Sequence, residues 1–384
     1  MTNAGDEFAV HLTDLGIELN QLSESVRRRA VRLLLLLHAE LASAIQAADL
    51  GAGTMSARSR RAERLIRDIQ ATLDRRYDQA SQVLTTSLRD IGELTRDQVV
   101  NLVNNVFTVE IARPVLTKAD IRALVDNEVI LGEPTKDWWE GQSQQTRRRF
   151  AREIRQGVAR GQTTEEIIRR VRGNPTGKMV TVTYTNGRTA RVLEYAGGVL
   201  DTSLREASAL VTTAVQSVSN EAMRLMYEGN NDILLGYAAV TTLDARTSNI
   251  CMARTGGAWD LEGNPLPGSM TDEQFPGFPP WHFFCRTVLR PVTKTWKQLV
   301  EEATGQRRRL LNTVPDSVRV SFDGLVGSEV RSFDDWLRLR GDAFARRKLG
   351  PTLFDLWKEG KITTQSLIDQ RGRPRTVQQV RASA

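Results

Sequence analysis

Cysteine is nearly absent from this sequence of 384 residues. Its two cysteines, Cys251 and Cys285, are too few for the disulfide framework of a small secreted protein. Long apolar runs are lacking too: the most apolar run, the leucines at 33–37, is far shorter than the about 20 residues that span a membrane. The first ten residues contain Asp6 and Glu7 and predict no secretory signal. We therefore expect a protein made in a reducing cytoplasm, with no membrane partner.

The positive charge of the chain is unevenly placed. The formal net charge is +7. Residues 303–384 contain 16 Lys and Arg against 9 Asp and Glu, so residues 1–302 contain 37 of each. The basic excess therefore belongs to the C-terminal tail. The length suggests two or three domains, and an apolar share of 40% is enough for packed cores.

The N-terminal third lacks proline and has the periodicity of long helices. No proline precedes Pro114, and apolar residues recur at helical spacing over 22–49 and 55–94. A third helix is predicted over 96–106. We expect residues 1–130 to form a region of long antiparallel helices.

The middle of the chain predicts a small α+β domain over 134–302. Two helices are expected first, over 138–160 and 165–171, the second begun by a capping box of Thr163 and Glu166. Alternating residues over 178–195 then predict an inserted β-hairpin, with Asn186-Gly187 as a two-residue type I′ turn.

The second half of that domain has the clearest helix of the chain. Apolar residues repeat every three or four positions over 199–227. Two strands are predicted over 233–240 and 287–289, separated by a loop rich in Gly and Pro over 256–280. A short helix over 294–303 follows, so the expected fold is mainly α with a two-strand core.

The tail, residues 303–384, predicts a basic linker followed by short helices. The linker covers 305–316. Helices are expected over 332–340, with Ser332 as N-cap, and then over 353–357 and 364–368.

The two cysteines and one histidine bracket the Gly/Pro-rich loop. Cys251 precedes the loop, and His282 and Cys285 follow it, three residues apart. These three residues are candidate zinc ligands, with Asp244 or water completing the shell. The alternative is that both cysteines are small buried apolar residues and His282 is a hydrogen-bonded loop residue. We favour the alternative because structural zinc sites usually have four N or S ligands; a disulfide suits a reducing compartment poorly.

Enzymatic interpretations rest on little. Cys251 with His282 could form a nucleophilic pair, and Asp244 with His282 could suggest a metal-dependent hydrolase. The other two histidines, His11 and His38, fall in the N-terminal helices, and no phosphate-binding or dinucleotide-binding glycine motif occurs. We expect no enzyme and no catalytic residue.

The order of these motifs resembles a known family. The segment Asp-x-Arg-Thr-x-x-x-Cys at 244–251, the Gly-rich loop and Pro-Pro-x-His-x-x-Cys-Arg at 279–286 resemble the head morphogenesis domain of tailed bacteriophages, the phage Mu F-like minor head protein family. Residues 154–168, 216–223 and 236–240 resemble its preceding helices and strand. The resemblance covers about residues 134–292.

The resemblance implies a structural minor head protein of a tailed phage that acts in procapsid assembly. Its implied partners are the portal protein and the major capsid or scaffold protein, and its implied location is the virion head. We call the segment 244–286 the clasp loop. The candidate residues that would hold it closed are Asp244, Arg246, Thr247, Trp259, Trp281 and Arg286.

This sequence departs from the family at three places. Ser248 and Thr287 stand where members often have cysteines, and Thr212-Thr213-Ala214 stands where Arg-Thr-Glu is usual. Two sulfur ligands of a family metal site are therefore missing. We expect the loop to be held without a metal, by Trp259, Phe278 and Trp281 packing beneath it.

The arginines of the tail are candidate contacts for packaged DNA or for an acidic patch on another capsid component. They are Arg307, Arg308, Arg309, Arg371, Arg373 and Arg375. The alternative function is accordingly a DNA-binding head protein delivered with the genome. The arginines over 147–155 are instead expected to form a solvated helix face.

Overall fold

The computed structural model describes residues 4–127, 129–314, 332–369 and 371–384. It is mainly helical, with 62% helix and 11% strand, as the sequence predicts. The helices are α1 (Ala4–Ala48), α2 (Met55–Asp68), α3 (Gln70–Phe107), α4 (Lys118–Asn127), α5 (Thr135–Ala159), α6 (Thr164–Arg172), α7 (Gly198–Glu228), α8 (Asn249–Ala253), α9 (Trp296–Glu302), α10 (Gly305–Leu311), α11 (Phe333–Arg340), α12 (Asp342–Leu349), α13 (Pro351–Lys358) and α14 (Val377–Ala382). The strands are β1 (Val129–Ile130), β2 (Glu133–Pro134), β3 (Asn174–Thr183), β4 (Thr189–Ala196), β5 (Leu234–Val240), β6 (Ala258–Asp260) and β7 (Val288–Thr293).

The described chain divides into two compact units, each built from segments that are not consecutive. One unit contains Met1–Asn20, Ile91–Arg122 and Gln216–Ala384. The other contains Gln21–Asp90 and Ala123–Val215. The sequence pattern, in contrast, suggested three consecutive regions.

The long N-terminal helices form as predicted, but the boundary between the second and third helices lies at a different residue. The expected break near residue 95 is wrong, because α3 runs through it with Thr95 fully buried. The chain breaks at Ile69 instead, the C-cap of α2. No glycine or proline marks that break in the sequence, which is why the periodicity of residues 55–94 gave no sign of it.

One stretch of α1 has the length and composition of a membrane span. Within Val10–Ala48, the best 18-residue window has a mean hydropathy of 1.4, and 56% of that window is buried inside the protein. Leu33 and Leu37 are each 1% exposed. Leu33, Leu35 and Leu36 pack against the hairpin residues Val180 and Val182. This is the pattern of a buried core helix.

The hairpin is present, but its turn is different from the prediction. Val180 pairs with Val192, and Thr183 pairs with Thr189. The backbone N–H of Tyr184 donates to the carbonyl of Arg188, which leaves a three-residue turn of 185–187. Only Gly187 in that turn has a positive φ, of 81°. The two-residue type I′ turn is therefore wrong, because it needs positive φ at both central residues.

The unit that carries the clasp loop has a three-stranded antiparallel sheet, with β5 between β6 and β7. The predicted two-strand core missed β6, which lies inside the Gly/Pro-rich loop. Gly236 faces it so closely that a Cβ there would lie 1.9 Å from the carbonyl oxygen of Trp259. A glycine on β5 is thus required for β6 to pair, since any side chain would collide with the neighbouring backbone.

Helix α7 fixes the strand that follows the clasp loop. The side-chain amides of Gln216 and Asn220 donate to the carbonyl of Thr287, at 3.2 and 3.4 Å. The hydroxyl of Tyr227 donates to the carbonyl of Leu289 at 3.0 Å. The polar side chains of this helix therefore supply hydrogen-bond donors to backbone carbonyls at and just before β7, and they set the position of β7 beside the loop.

The tail is a packed helical segment. Residues predicted as a linker contain α10, and α12 and α14 were also missed, while the capping box of Ser332 and Asp335 is present. Residues 315–331 lie outside the described residues. The buried apolar residues of 332–384 form one cluster that also includes Met252 of α8: Phe333, Leu337, Ala345, Leu353, Phe354, Trp357, Ile362, Leu367 and Val380.

Candidate metal centre and clasp loop

Helix α8 begins the clasp loop and presents its first cysteine. Ser248 is the N-cap, and its hydroxyl accepts a hydrogen bond from the backbone N–H of Cys251 at 3.2 Å. The hydroxyl of Thr255 donates to the carbonyl of Cys251 at 2.9 Å. These local bonds hold the short helix and turn the thiol of Cys251, which is 3% exposed, into the interior.

Cys251, His282 and Cys285 meet in one cluster, as the sequence suggests. Their ligand atoms all lie within 4.8 Å of one another. The Nε2 atom of His282 is 3.0 Å from Sγ of Cys251, and the two Sγ atoms are 3.8 Å apart. Both cysteines are free and buried.

A backbone carbonyl sets the orientation of the imidazole. Nδ1 of His282 lies 2.6 Å from the carbonyl oxygen of Phe283, which can only accept, so Nδ1 carries a proton. In the neutral ring, Nε2 is then the lone-pair atom, and it faces Cys251 and Ser248 Oγ, the latter at 2.7 Å. A hydrogen-bonded Nδ1 with a free Nε2 is the arrangement of most metal-bound histidines.

The second part of the cluster depends on a tight turn. The backbone N–H of Cys285 donates to the carbonyl of His282 at 3.1 Å. Phe284, between them, has a φ of 61°, which a bulky L-residue adopts only under constraint. This left-handed residue lets side chains three positions apart face the same point.

The protonation states of the cluster are linked. The hydrogen bond between the two sulfurs lowers the pKa of Cys285 well below its usual range and raises the pKa of Cys251. Burial lowers the pKa of His282, but its contacts with Cys285 and with the Phe283 carbonyl outweigh burial and raise it. Cys285 is therefore the more acidic thiol of the pair.

A second set of contacts closes the loop beside the cluster. Arg286 donates two hydrogen bonds to the carboxylate of Asp244, both at 2.7 Å, and lowers the pKa of that carboxyl well below its usual range. The hydroxyl of Thr247 donates to the carbonyl of Thr242 at 2.5 Å. Lys348, which the sequence did not single out, donates to the carbonyls of Ala245 and Thr247 at 2.9 and 2.5 Å. Three segments of the chain, residues 242–247, Arg286 and Lys348, thereby meet at the neck of the loop.

Asp244 is not among the clustered ligand residues, so its predicted role as a fourth ligand is wrong. Its two oxygens are bound by Arg286. The residues that replace the family cysteines are close instead: Ser248 contacts Nε2, and the hydroxyl of Thr287 donates to Sγ of Cys251 at 3.3 Å. The sequence singles out both positions, one turn before Cys251 and two residues after Cys285, but it does not show that their hydroxyls contact the cluster.

The predicted aromatic support is partly as expected. Trp259 is fully buried, and its indole N–H donates to the carbonyl of Glu273 at 2.7 Å. Its ring lies 5.5 Å from that of Phe275, which contacts Phe278. Trp281 lies apart from this stack. Its ring is covered by the guanidinium of Arg254 at 4.7 Å, and that arginine is also paired with Glu273.

Besides Arg286, three of the predicted clasp and tail arginines have internal partners. Arg246 is 85% exposed and lies 3.7 Å from Asp244. Arg307 pairs with Asp232 and donates to the carbonyl of Ile111. Arg375 donates to the carbonyls of Ser366 and Gln379. The other four predicted contact residues are exposed: Arg308, Arg309, Arg371 and Arg373.

The cluster has the donors of a zinc site beside a very small cavity. Two sulfurs and one imidazole nitrogen are the ligands that zinc prefers. The cavity beside them, bordered by Ser248 and Phe284, has a volume of about 10 Å³, which matches a single small ligand such as water. The arrangement can hold an ion or a proton network.

Comparison of the chain with protein-family models, with curated proteins and with solved structures found no match. The function proposed below therefore depends on which motif residues converge, how deeply they are buried and what they can bind.

Proposed function

We propose that this protein is a structural minor head protein of a tailed bacteriophage, acting in procapsid assembly through contacts with the portal and the inner capsid. The observation that supports it is the convergence of the motif residues behind the resemblance. Asp244 binds Arg286, and Cys251 meets His282 and Cys285. Residues more than 30 positions apart in the motif thus form one closed structure.

A structural role suits this site better than catalysis. Cys251 is 3% exposed and Cys285 is 1% exposed. A nucleophilic cysteine must reach a substrate carbonyl or phosphorus, and the cavity of about 10 Å³ admits none. The contacts instead cross-link α8 to the turn before β7, which is what a clasp requires.

We further propose that zinc occupies the clasp, with Cys251, Cys285 and Nε2 of His282 as ligands. Bound zinc would supply a structural cross-link between α8 and the His282 turn. The His282 ring is already oriented for this by the Phe283 carbonyl, at 2.6 Å. Ser248 Oγ or a water would take the fourth position.

The test of the head-protein proposal is complementation in the phage that encodes the chain. Deletion of the gene is expected to stop head assembly, and the intact gene is expected to restore it. The variant D244A/R286A, which opens the clasp, should fail to restore assembly. The variant R246A is the matched control, because Arg246 is exposed and contributes little to the clasp. Normal heads without the gene would overturn the proposal.

The alternative is a DNA-binding head protein, favoured by the four exposed tail arginines. Arg307 and Arg375 are engaged internally, so a DNA contact from the predicted set rests on the other four. Filter binding of R308A/R309A/R371A/R373A across a salt series separates the two functions. Loss of retention with normal head assembly would favour the alternative.

A further inference from the structure

The C-terminal helices α11 and α12 carry four exposed arginines that lie over aromatic rings. Their guanidinium carbons are 5.4 to 6.0 Å from the ring centroids. The pairs are Arg338 on Trp357, Arg340 and Arg347 on Phe344, and Arg346 on Phe354. A guanidinium held on a ring face loses freedom, yet its N–H edge stays open to an anion.

These four arginines differ in the carboxylates beside them. Arg338 lies 3.1 Å from Asp335, and Arg346 lies 3.5 Å from Asp355. Arg340 and Arg347 have no carboxylate partner in the part of the chain that the structure describes. Both occur in the last turn of their helix, where positive charge is favourable. Their position at a helix end explains why both residues are positively charged. It does not explain why neither has a carboxylate partner.

The carboxylates of this segment are all used internally. Within residues 332–384 there are 11 Lys and Arg against 6 Asp and Glu. Each of the six contacts a cation, an indole, a hydroxyl or a backbone N–H of the same segment: Asp334, Asp335, Asp342, Asp355, Glu359 and Asp369. The segment therefore has a net positive charge, and each of its carboxylates has a partner within the segment.

We propose that Arg340 and Arg347, held on the ring of Phe344, bind the phosphate backbone of double-stranded DNA. Two guanidiniums within 6.0 Å of one ring centroid are close enough to contact neighbouring phosphates of a strand. A duplex presents phosphates at regular spacing without a fixed pocket, which suits two charges on short exposed helices. This inference is independent of the head-protein proposal and names residues outside the arginine set that the sequence suggested.

Fluorescence anisotropy with a 5′-labelled random duplex of about 30 base pairs tests the proposal on the full-length chain, from about 50 to 300 mM NaCl. R340A/R347A is expected to weaken binding and to reduce the slope of log K against log salt by about 2, since each lost phosphate contact removes about 0.9. R340K/R347K is expected to keep most of the slope, because lysine also neutralises phosphate.

The matched control is R338A/R346A, which removes two exposed, ring-stacked charges that already have carboxylate partners. Its slope is expected to remain near that of the unmodified protein. Equal losses in both double variants would mean diffuse attraction and would overturn the site, as would an unchanged slope in R340A/R347A. Displacement of the duplex by poly-glutamate as readily as by unlabelled DNA would also overturn it, in favour of an acidic protein partner. Thermal melting of each variant separates loss of the site from loss of folding.

Discussion

Asp244 and Arg286, 42 residues apart, form a two-point ion pair with both N–O distances at 2.7 Å. The pair joins the segment after β5 to the segment before β7. Both side chains are partly shielded from solvent, at 33% and 18% exposure. Charge-assisted hydrogen bonds of this kind contribute more than exposed ion pairs, so the neck of the clasp loop is the place where a single substitution should be felt.

The substitution Asp244→Asn is expected to lower the free energy of unfolding by about 1.5 to 3 kcal/mol, because it weakens both bonds to Arg286. Urea denaturation at neutral pH measures it. Arg246→Ala is the control, since that side chain is 85% exposed and 3.7 Å from the same carboxylate. If Arg246→Ala lowers the free energy of unfolding as much as Asp244→Asn does, the claim that the bonds to Arg286 stabilise the neck is contradicted.

His38 predicts a dependence of stability on pH. Burial, followed by the charge of Arg172, lowers its pKa from 6.5 to about 4. The folded state therefore favours the neutral ring. The neutral His38 ring contributes its full stabilisation above pH 6.5. As the pH falls towards 4, the free energy of unfolding decreases by up to about 3 kcal/mol. The unfolding free energy measured across this range should show the loss.

The variant His38→Phe is expected to flatten that dependence. A phenyl ring keeps the stacking on Tyr195, whose ring lies 5.3 Å away, but it cannot take up a proton. An unchanged slope in the variant would assign the pH dependence to other groups.

The clasp predicts zinc and a way to strengthen its binding. Elemental analysis of the purified protein is expected to find one zinc per chain. Cys285→Ser should abolish it, because only two of the three ligands remain. Ser248→Cys should tighten it, since Oγ of Ser248 already lies 2.7 Å from Nε2 of His282 and a thiolate would supply a fourth ligand. If the purified protein contains no zinc and has normal stability, the zinc proposal is wrong and hydrogen bonds alone hold the clasp.

The junction of α8 with the tail predicts a coupled unfolding. Met252 is 1% exposed in the tail cluster, next to Cys251 in the clasp. Met252→Ala is expected to cost about 2 to 5 kcal/mol and to expose residues 332–384 to protease. Lys348→Ala should act in the same direction with a smaller effect. Protection of the tail in Met252→Ala would show that the clasp and the tail unfold separately.

The sequence predicted the helical class and most element positions because these depend on local periodicity. The capping box at Thr163 and the N-cap at Ser332 are local patterns and are present as predicted. Strand β6 was missed because three residues give no periodicity, and only its pairing beside Gly236 makes it a strand. The helix α12 was missed because its start and end are set by Gly341 and Gly350 at positive φ.

Part of the site could likewise be read from residue types. Cys251, His282 and Cys285 were found together because few residue types bind metals, and spacing placed two of them in one turn. The sequence offers only three N or S ligands where structural zinc sites usually have four. It therefore favours the interpretation of both cysteines as small buried apolar residues. What spacing could not show is the direction of Nε2, which depends on the carbonyl of Phe283. The pairing of Asp244 with Arg286 is a long-range contact and was equally out of reach.

The measurement that most directly tests the account is mass spectrometry of purified procapsids and mature heads from the phage that encodes the chain. The account predicts that the protein is present in procapsids at low copy number, together with the portal protein, and that D244A/R286A is absent from them. Its absence from both procapsids and mature heads, while the protein is abundant in the infected cell, would contradict the account.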